Sequence, residues 1–153
     1  MDIDTLHQLM QTVTSAIRGQ TLDEDLGNTL NTLFPANGEV YAQILALCQK
    51  GTREQWICQK EHGGIRYGRV FAPDDSLDGF SVDIVLMKDI VGPRHTHPKG
   101  EIDLILPLIN GACFDDHPAG WLVYGPHTTH RPTVTNGEAF ILYLLPEGSI
   151  EFH

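Results

Sequence analysis

The 153-residue chain is short of cysteines, cations and long apolar runs, and each shortage excludes something. Its three cysteines, Cys48, Cys58 and Cys113, are odd in number and form no CxxC pair, so they offer neither a disulfide framework nor a thiolate metal motif. Reduced, mostly buried thiols are expected. Ten Lys and Arg stand against twenty Asp and Glu, a net charge of -10, which argues against sequence-independent binding to nucleic acid or to an anionic membrane surface. No run approaches the roughly 18 consecutive apolar residues of a membrane-spanning helix. The opening MDIDTLHQLM carries acids where a secretory signal is basic, and no apolar segment follows, so a cytoplasmic location is expected. A Gly-rich dinucleotide motif is also missing, so neither nicotinamide nor flavin is expected. There is no repeat, low-complexity tract or flexible linker, and this length ordinarily makes one domain.

The apolar pattern divides the chain in two. Ile3, Leu6, Leu9, Met10, Val13 and Ile17 recur at spacings of three and four, one face of a helix that Asp2 or Asp4 caps and Gly19 ends. Leu22–Phe34 and Glu39–Lys50 repeat the pattern, with Pro35–Gly38 between them and Gly51 as a stop. Beyond Gly51 the period falls to two. Short strands are predicted at Gln55–Gln59, Ile65–Phe71, Phe80–Met87, Ile102–Ile109, Ala112–Phe114, Trp121–Tyr124, Arg131–Thr135 and Ala139–Leu145. Asp78-Gly79, Asn110-Gly111 and Asn136-Gly137 punctuate them as turn or hairpin signals. The expected fold is therefore mostly β, an antiparallel sandwich or barrel covering 54–153, with a helical segment over 1–53 packed on it as one structural unit.

Five of the eight histidines fall between His95 and His130. In His95-Thr96-His97 an extended strand sends both imidazoles to the same side. Pro98-Lys99-Gly100 makes a turn, and Glu101 starts the next strand, where its carboxylate faces back toward them. Two imidazoles and a carboxylate suit a divalent transition metal, and His130 is the candidate fourth ligand. Iron, manganese, nickel and zinc all accept this donor set, so the pattern leaves the metal's identity open.

These residues resemble the two cupin motifs. Gly92-Pro-Arg-His95-Thr-His97-Pro-Lys-Gly-Glu101, ending at Gly111, matches the first; Gly125-Pro126-His127-Thr-Thr-His130-Arg-Pro matches the second. Gly92 lies closer to His95 and Gly111 further from Glu101 than in the common pattern, and His127 stands where a glycine is usual. The resemblance implies a single cupin (jelly-roll) barrel. A closer one covers most of the chain: GGIRYGRV (63–70), GFSVDIVLM (79–87), HTHPKGEIDLILPL (95–108), HPAGWLVYGP (117–126), HRPTVTNGEA (130–139) and LYLLPEGSIEF (142–152) resemble the 4-hydroxylaminobenzoate lyase family. That family converts 4-hydroxylaminobenzoate to protocatechuate and ammonia in bacterial nitroarene breakdown.

The implied reaction is redox-neutral, because the N–O bond already holds the oxidising equivalents. A metal held by His95, His97, Glu101 and His130 would serve as a Lewis acid, with a general acid/base nearby. Asp103 shares the face of Glu101 and is a candidate proton shuttle or, preferably, an orienting partner of His95 or His97. His127 is the other acid/base candidate, with a solvated turn as its alternative. A benzoate carboxylate requires a cation. Arg66 and Arg69 are retained as candidates, on opposite faces of one strand so that only one faces inward; Arg94 and Arg131 adjoin proposed ligands and should point away. Tyr67, Tyr124 and Trp121 are candidate ring walls. The partner set is thus a small aromatic acid and, as cupins often pair, a second copy of the chain in a homodimer. The competing readings are a metal-dependent oxygenase and a non-catalytic ligand-binding cupin. Acidity is spread over both parts: six acids against three bases in 1–53, fourteen against seven in 54–153. A divalent ion with one carboxylate would make the site locally cationic, which admits a small anion.

Overall fold

A computed structural model describes residues 2–153. Three helices come first: α1 (Asp2–Ala16), α2 (Glu24–Leu33) and α3 (Glu39–Arg53). Asp23 caps α2 by accepting a hydrogen bond from the Leu26 N–H at 2.9 Å. The apolar stripes seen in the sequence are the buried ones, with Leu6, Met10, Val13, Leu26, Leu30, Ile44 and Cys48 each at 2% exposure or less. All three cysteines are free thiols, and burial raises that of Cys58 to about 12. No helix among the described residues is long and apolar enough to cross a membrane.

The rest is antiparallel sheet. Strands β1 (Lys60–His62), β2 (Ile65–Phe71), β3 (Phe80–Val91), β4 (His95–His97), β5 (Glu101–Pro107), β6 (Cys113–Phe114), β7 (Gly120–Tyr124), β8 (Thr128–His130), β9 (Thr133–Pro146) and β10 (Glu151–Phe152) form two sheets. The large one runs β1-β2-β3-β9-β5-β7, with β6 also on β9; the small one is β10-β4-β8. This is the mostly β, cupin-type jelly roll behind a helical segment that the motifs implied.

Alternation gives the large sheet two faces. Val82, Ile84, Ile102, Leu104, Leu106, Phe140, Leu142 and Leu144 pack with the helices in one core. Val85, Met87, Ile105, Ile141, Tyr143 and Leu145 point the other way, into the barrel. Specific bonds dock the helices. Asn31 bridges the exposed edge of β7 at Trp121, accepting from its N–H at 2.8 Å and donating to its carbonyl at 3.1 Å. Tyr41 donates to the Ile105 carbonyl at 2.9 Å. A Cβ at Gly120 would lie 2.8 Å from Asn31 Oδ1, so this bridge requires glycine there.

Two local expectations are corrected. Gln55–Gln59 is a turn in which Gln55 and Cys58 have positive φ (66° and 56°), and the strand is β1, immediately after it. Asn136-Gly137 makes no hairpin. β9 passes straight through it as a 14-residue strand with a bulge opposite Asp89, whose carboxylate accepts the Gly137 N–H at 3.0 Å. The left-handed φ that favours a hairpin turn equally favours a bulge; cross-strand pairing decides which forms.

Candidate metal centre

The site joins the two sheets. β4 carries His95 and His97 on the same side, and β8 sets His130 directly opposite His95. The chain then turns back at Gly100 (φ 88°), whose N–H reaches the His97 carbonyl at 3.2 Å, and delivers Glu101 to the barrel face of β5. A Cβ at Gly100 would come within 2.8 Å of the Tyr124 carbonyl, so only glycine permits so close a turn.

The three imidazole tips meet. His130 Nε2 lies 3.0 Å from His95 Nε2, 3.3 Å from His97 Nε2 and 2.9 Å from Glu101 Oε1. His97 Nε2 contacts Glu101 Oε2, and His95 Nε2 is 4.0 Å from the same oxygen. One ligand atom from each residue falls within 4.8 Å of all the others. Two donors held about 2.1 Å from a common ion at right angles would stand about 3 Å apart, so these separations fit a metal. The chemistry fits as well. Glu101 is fully buried, and neither of its oxygens receives a hydrogen bond of good geometry among the described residues, so a cation is the natural compensation. His95, His97, Glu101 and His130 are thus the residues that would hold a divalent ion.

Burial, with help from the neighbouring His97, lowers His95 to about 4, so it is the neutral imidazole a metal requires. Burial opposes ionisation of Glu101, but His130 and His97 overcome it and hold the carboxyl near 2. Burial also works against a charged His130, yet its hydrogen bond to Asp115 and the adjacent Glu101 carboxylate raise it to about 9; a bound ion would displace that proton.

Asp115 went unnoticed in the sequence. Its Oδ2 lies 2.7 Å from His130 Nδ1 and accepts the Tyr124 hydroxyl at 2.7 Å, while Oδ1 accepts the Thr133 N–H at 2.9 Å. This turns the His130 tip toward the cluster and leaves its lone pair free for a metal. The only hint was Asp115-Asp116 itself, two acids that both adopt positive φ (48° and 65°) at a tight turn. Asp103, by contrast, makes no hydrogen bond to His95 or His97: its fully buried carboxyl oxygens and the Nδ1 atoms of both histidines have no well-formed partner among the described residues. Burial and the adjacent Glu101 carboxylate raise Asp103 well above the usual carboxyl range.

A cavity of about 480 Å³ opens beside the cluster on the barrel face, and His95 belongs to both. Tyr67 and Arg69 line it, as do Lys60, His62 and Tyr143, which the sequence reading did not select. Arg69 is already engaged: its guanidinium holds Asp83 at 2.7 Å and the Gly148 carbonyl at 3.1 Å. Arg66 is on the other face of β2, opposite Leu86, which packs toward the helices. Tyr124 is a partner of Asp115 and stacks 4.4 Å from the His130 ring, outside the cavity wall. His127 presents its backbone to the cluster, donating to the His97 carbonyl at 2.8 Å, while its side chain is exposed. Arg66, Tyr124 and His127 therefore lie apart from the cavity.

The family model described as 4-hydroxylaminobenzoate lyase matches residues 8–152. A 4-hydroxylaminobenzoate lyase from Nocardioides sp. (strain LMS-CY) is 32% identical, covering 89% of this chain and 86% of its own. One from Pseudomonas putida is 28% identical, covering 89% and 87%. Among solved structures, an RmlC-like cupin from Ralstonia eutropha JMP134 aligns with a TM-score of 0.44 at 11% identity, over 59% of this chain and 60% of its own. By the family match and the relatives together, this chain belongs to the 4-hydroxylaminobenzoate lyase family and is a lyase.

Proposed function

We propose that the chain is a metal-dependent lyase that converts 4-hydroxylaminobenzoate, or a closely related hydroxylamino-aromatic acid, into protocatechuate and ammonia. The observation that carries this reading is the buried cluster of three imidazoles and Glu101 at the wall of a cavity lined by aromatic and aliphatic side chains. The reaction adds one water and releases one ammonia. The N–O bond is the oxidant, so no nicotinamide or flavin takes part.

When bound, a divalent ion supplies Lewis-acid polarisation of a substrate oxygen. The protein's own groups do the rest. Tyr67, Val85, Met87 and Phe152 enclose the aromatic ring and exclude water around it. Asp115 holds the His130 ring in one orientation. Asp103, buried beside Glu101 and raised well above the usual carboxyl range, is the acid candidate for exchanging a proton as ammonia leaves. Arg69, fixed by Asp83, stiffens the cavity wall.

The test is ammonia release from 4-hydroxylaminobenzoate under argon, with the purified protein's metal quantified. Turnover without dioxygen, lost on chelation and restored by one divalent metal, is expected. Product that forms only with dioxygen would establish an oxygenase instead.

A further inference from the structure

The cavity is charged at its mouth, apolar through its middle and polar at its inner end, and this gradient decides which way round an aryl acid lies. Directly opposed residues of antiparallel strands share a face. Lys60 opposes Tyr67, which opposes Val85, which opposes Ile141, so this row leads from the β1 edge across the barrel face. A second row runs Arg69, Asp83, Tyr143, Asp103. The cavity wall holds two permanent cations, Lys60 and Arg69. Arg69 is neutralised by Asp83, which also accepts the Ser81 hydroxyl at 2.8 Å. Lys60 is exposed and makes no ion pair among the described residues, and its neighbour Glu61 faces away, accepting the Gly64 N–H at 3.1 Å.

The inner end has the opposite character. Tyr143 is only 6% exposed and lines the cavity, yet its hydroxyl has no hydrogen-bond partner among the described residues. In its row it stands between Asp83 and Asp103, and Glu101 lies on the same face of β5 as Asp103. This end offers a free donor to an uncharged oxygen and, with Arg69 already paired to Asp83, no unpaired lysine or arginine to a carboxylate. Burial, and after it Asp103 and Glu101, raise the Tyr143 hydroxyl well above its usual range, so it stands as a donor.

Resting on the lyase reading above, we infer that the aryl acid binds in one orientation, with its carboxylate on Lys60 at the mouth and its hydroxylamino group on the Tyr143 hydroxyl beside His95. Three strand spacings, about 14 Å of backbone, separate β1 from β9, which leaves room for a para-substituted ring between two inward side chains. Lys60 is then the specificity residue for a carboxylate. Tyr143 is the residue that hydrogen-bonds the reacting end.

Two variants and one inert ligand test this. Lys60→Met should raise KM about tenfold or more with kcat nearly unchanged, and should leave the KM for the uncharged 4-hydroxylaminobenzamide unaltered. Tyr143→Phe should lower kcat by about a hundredfold with KM and metal content nearly unchanged. Binding of 4-hydroxybenzoate, which has no N–O bond to break, is measured by calorimetry on the metal-loaded protein. It should exceed that of 4-hydroxybenzamide, and Lys60→Met should erase the difference. An equal preference in wild type and Lys60→Met, or an unchanged kcat in Tyr143→Phe, would overturn the orientation while leaving the lyase reading intact. A Lys60-dependent preference in a protein that releases no ammonia would uphold the orientation and end the lyase reading.

Discussion

The two faces of the large sheet are made by alternate residues of the same strands, yet they obey different rules. On the helix side, Ile102, Leu104, Phe140, Leu142 and Leu144 are buried against apolar neighbours. On the barrel side, Glu101 and Asp103 are buried just as deeply, and their carboxyl oxygens have no well-formed hydrogen bond among the described residues. An unsatisfied buried polar group costs about 1–3 kcal/mol, so the barrel face is held together against its own preference. The helix face offsets that cost: a buried Leu or Phe side chain contributes about 1.5–3 kcal/mol. One side of the sheet thus supplies stability, and the other keeps groups poised for a ligand.

The comparison breaks most sharply at the cluster. Glu101→Gln should lower kcat/KM by at least about a thousandfold and abolish metal retention, several kcal/mol of lost ion and transition-state binding. The melting temperature of the metal-free protein should fall only slightly, because the carboxylate that His130 and His97 hold ionised is lost while Asp115 still pairs with His130; a large drop would show that Glu101 serves the fold. On the opposite face, Leu104→Ala should cost about 2–5 kcal/mol in denaturant unfolding while the folded fraction keeps its metal affinity. Asp115→Asn sits between the two. It should weaken metal binding about 10–100-fold by loosening His130, with a small effect on unfolding. The smallest effect has the opposite sign. Asp103→Val, close in volume and free of polar atoms, should raise the stability of the metal-free protein by about 1–3 kcal/mol, read as a shifted urea midpoint. A loss of stability there would mean that Asp103 has a structural partner.

The sequence revealed each side of this contrast to a different degree. The helix side was legible because it depends on spacing alone: Leu6, Met10 and Val13 fall at the three- and four-residue intervals of a helix and are all buried. The cluster was legible for a similarly local reason. His95 and His97 share a side because they are two apart, and a glycine turn of three residues brings Glu101 back to them. Asp115 was not legible. It reaches His130 across 15 residues, through a turn with two left-handed aspartates that periodicity does not signal. Nor could spacing choose between Arg66 and Arg69. It placed them on opposite faces, but which face was the cavity depended on where the helices docked. Lys60 and Tyr143 are 83 positions apart and belong to one cavity only because β2 and β3 pair between them.

The sequence by itself determined the helical front, the stranded back, the cluster of candidate metal ligands and the family, since all four rest on short-range spacing or on matching strings of residues. Tertiary structure alone decided which arginine is neutralised, which carboxylate holds His130, and which lysine and tyrosine bound the cavity. The physical reason is that strand register and helix docking are set by long-range burial. Only when they are in place does a side chain's face become inside or outside, and only then does its charge gain or lose a partner.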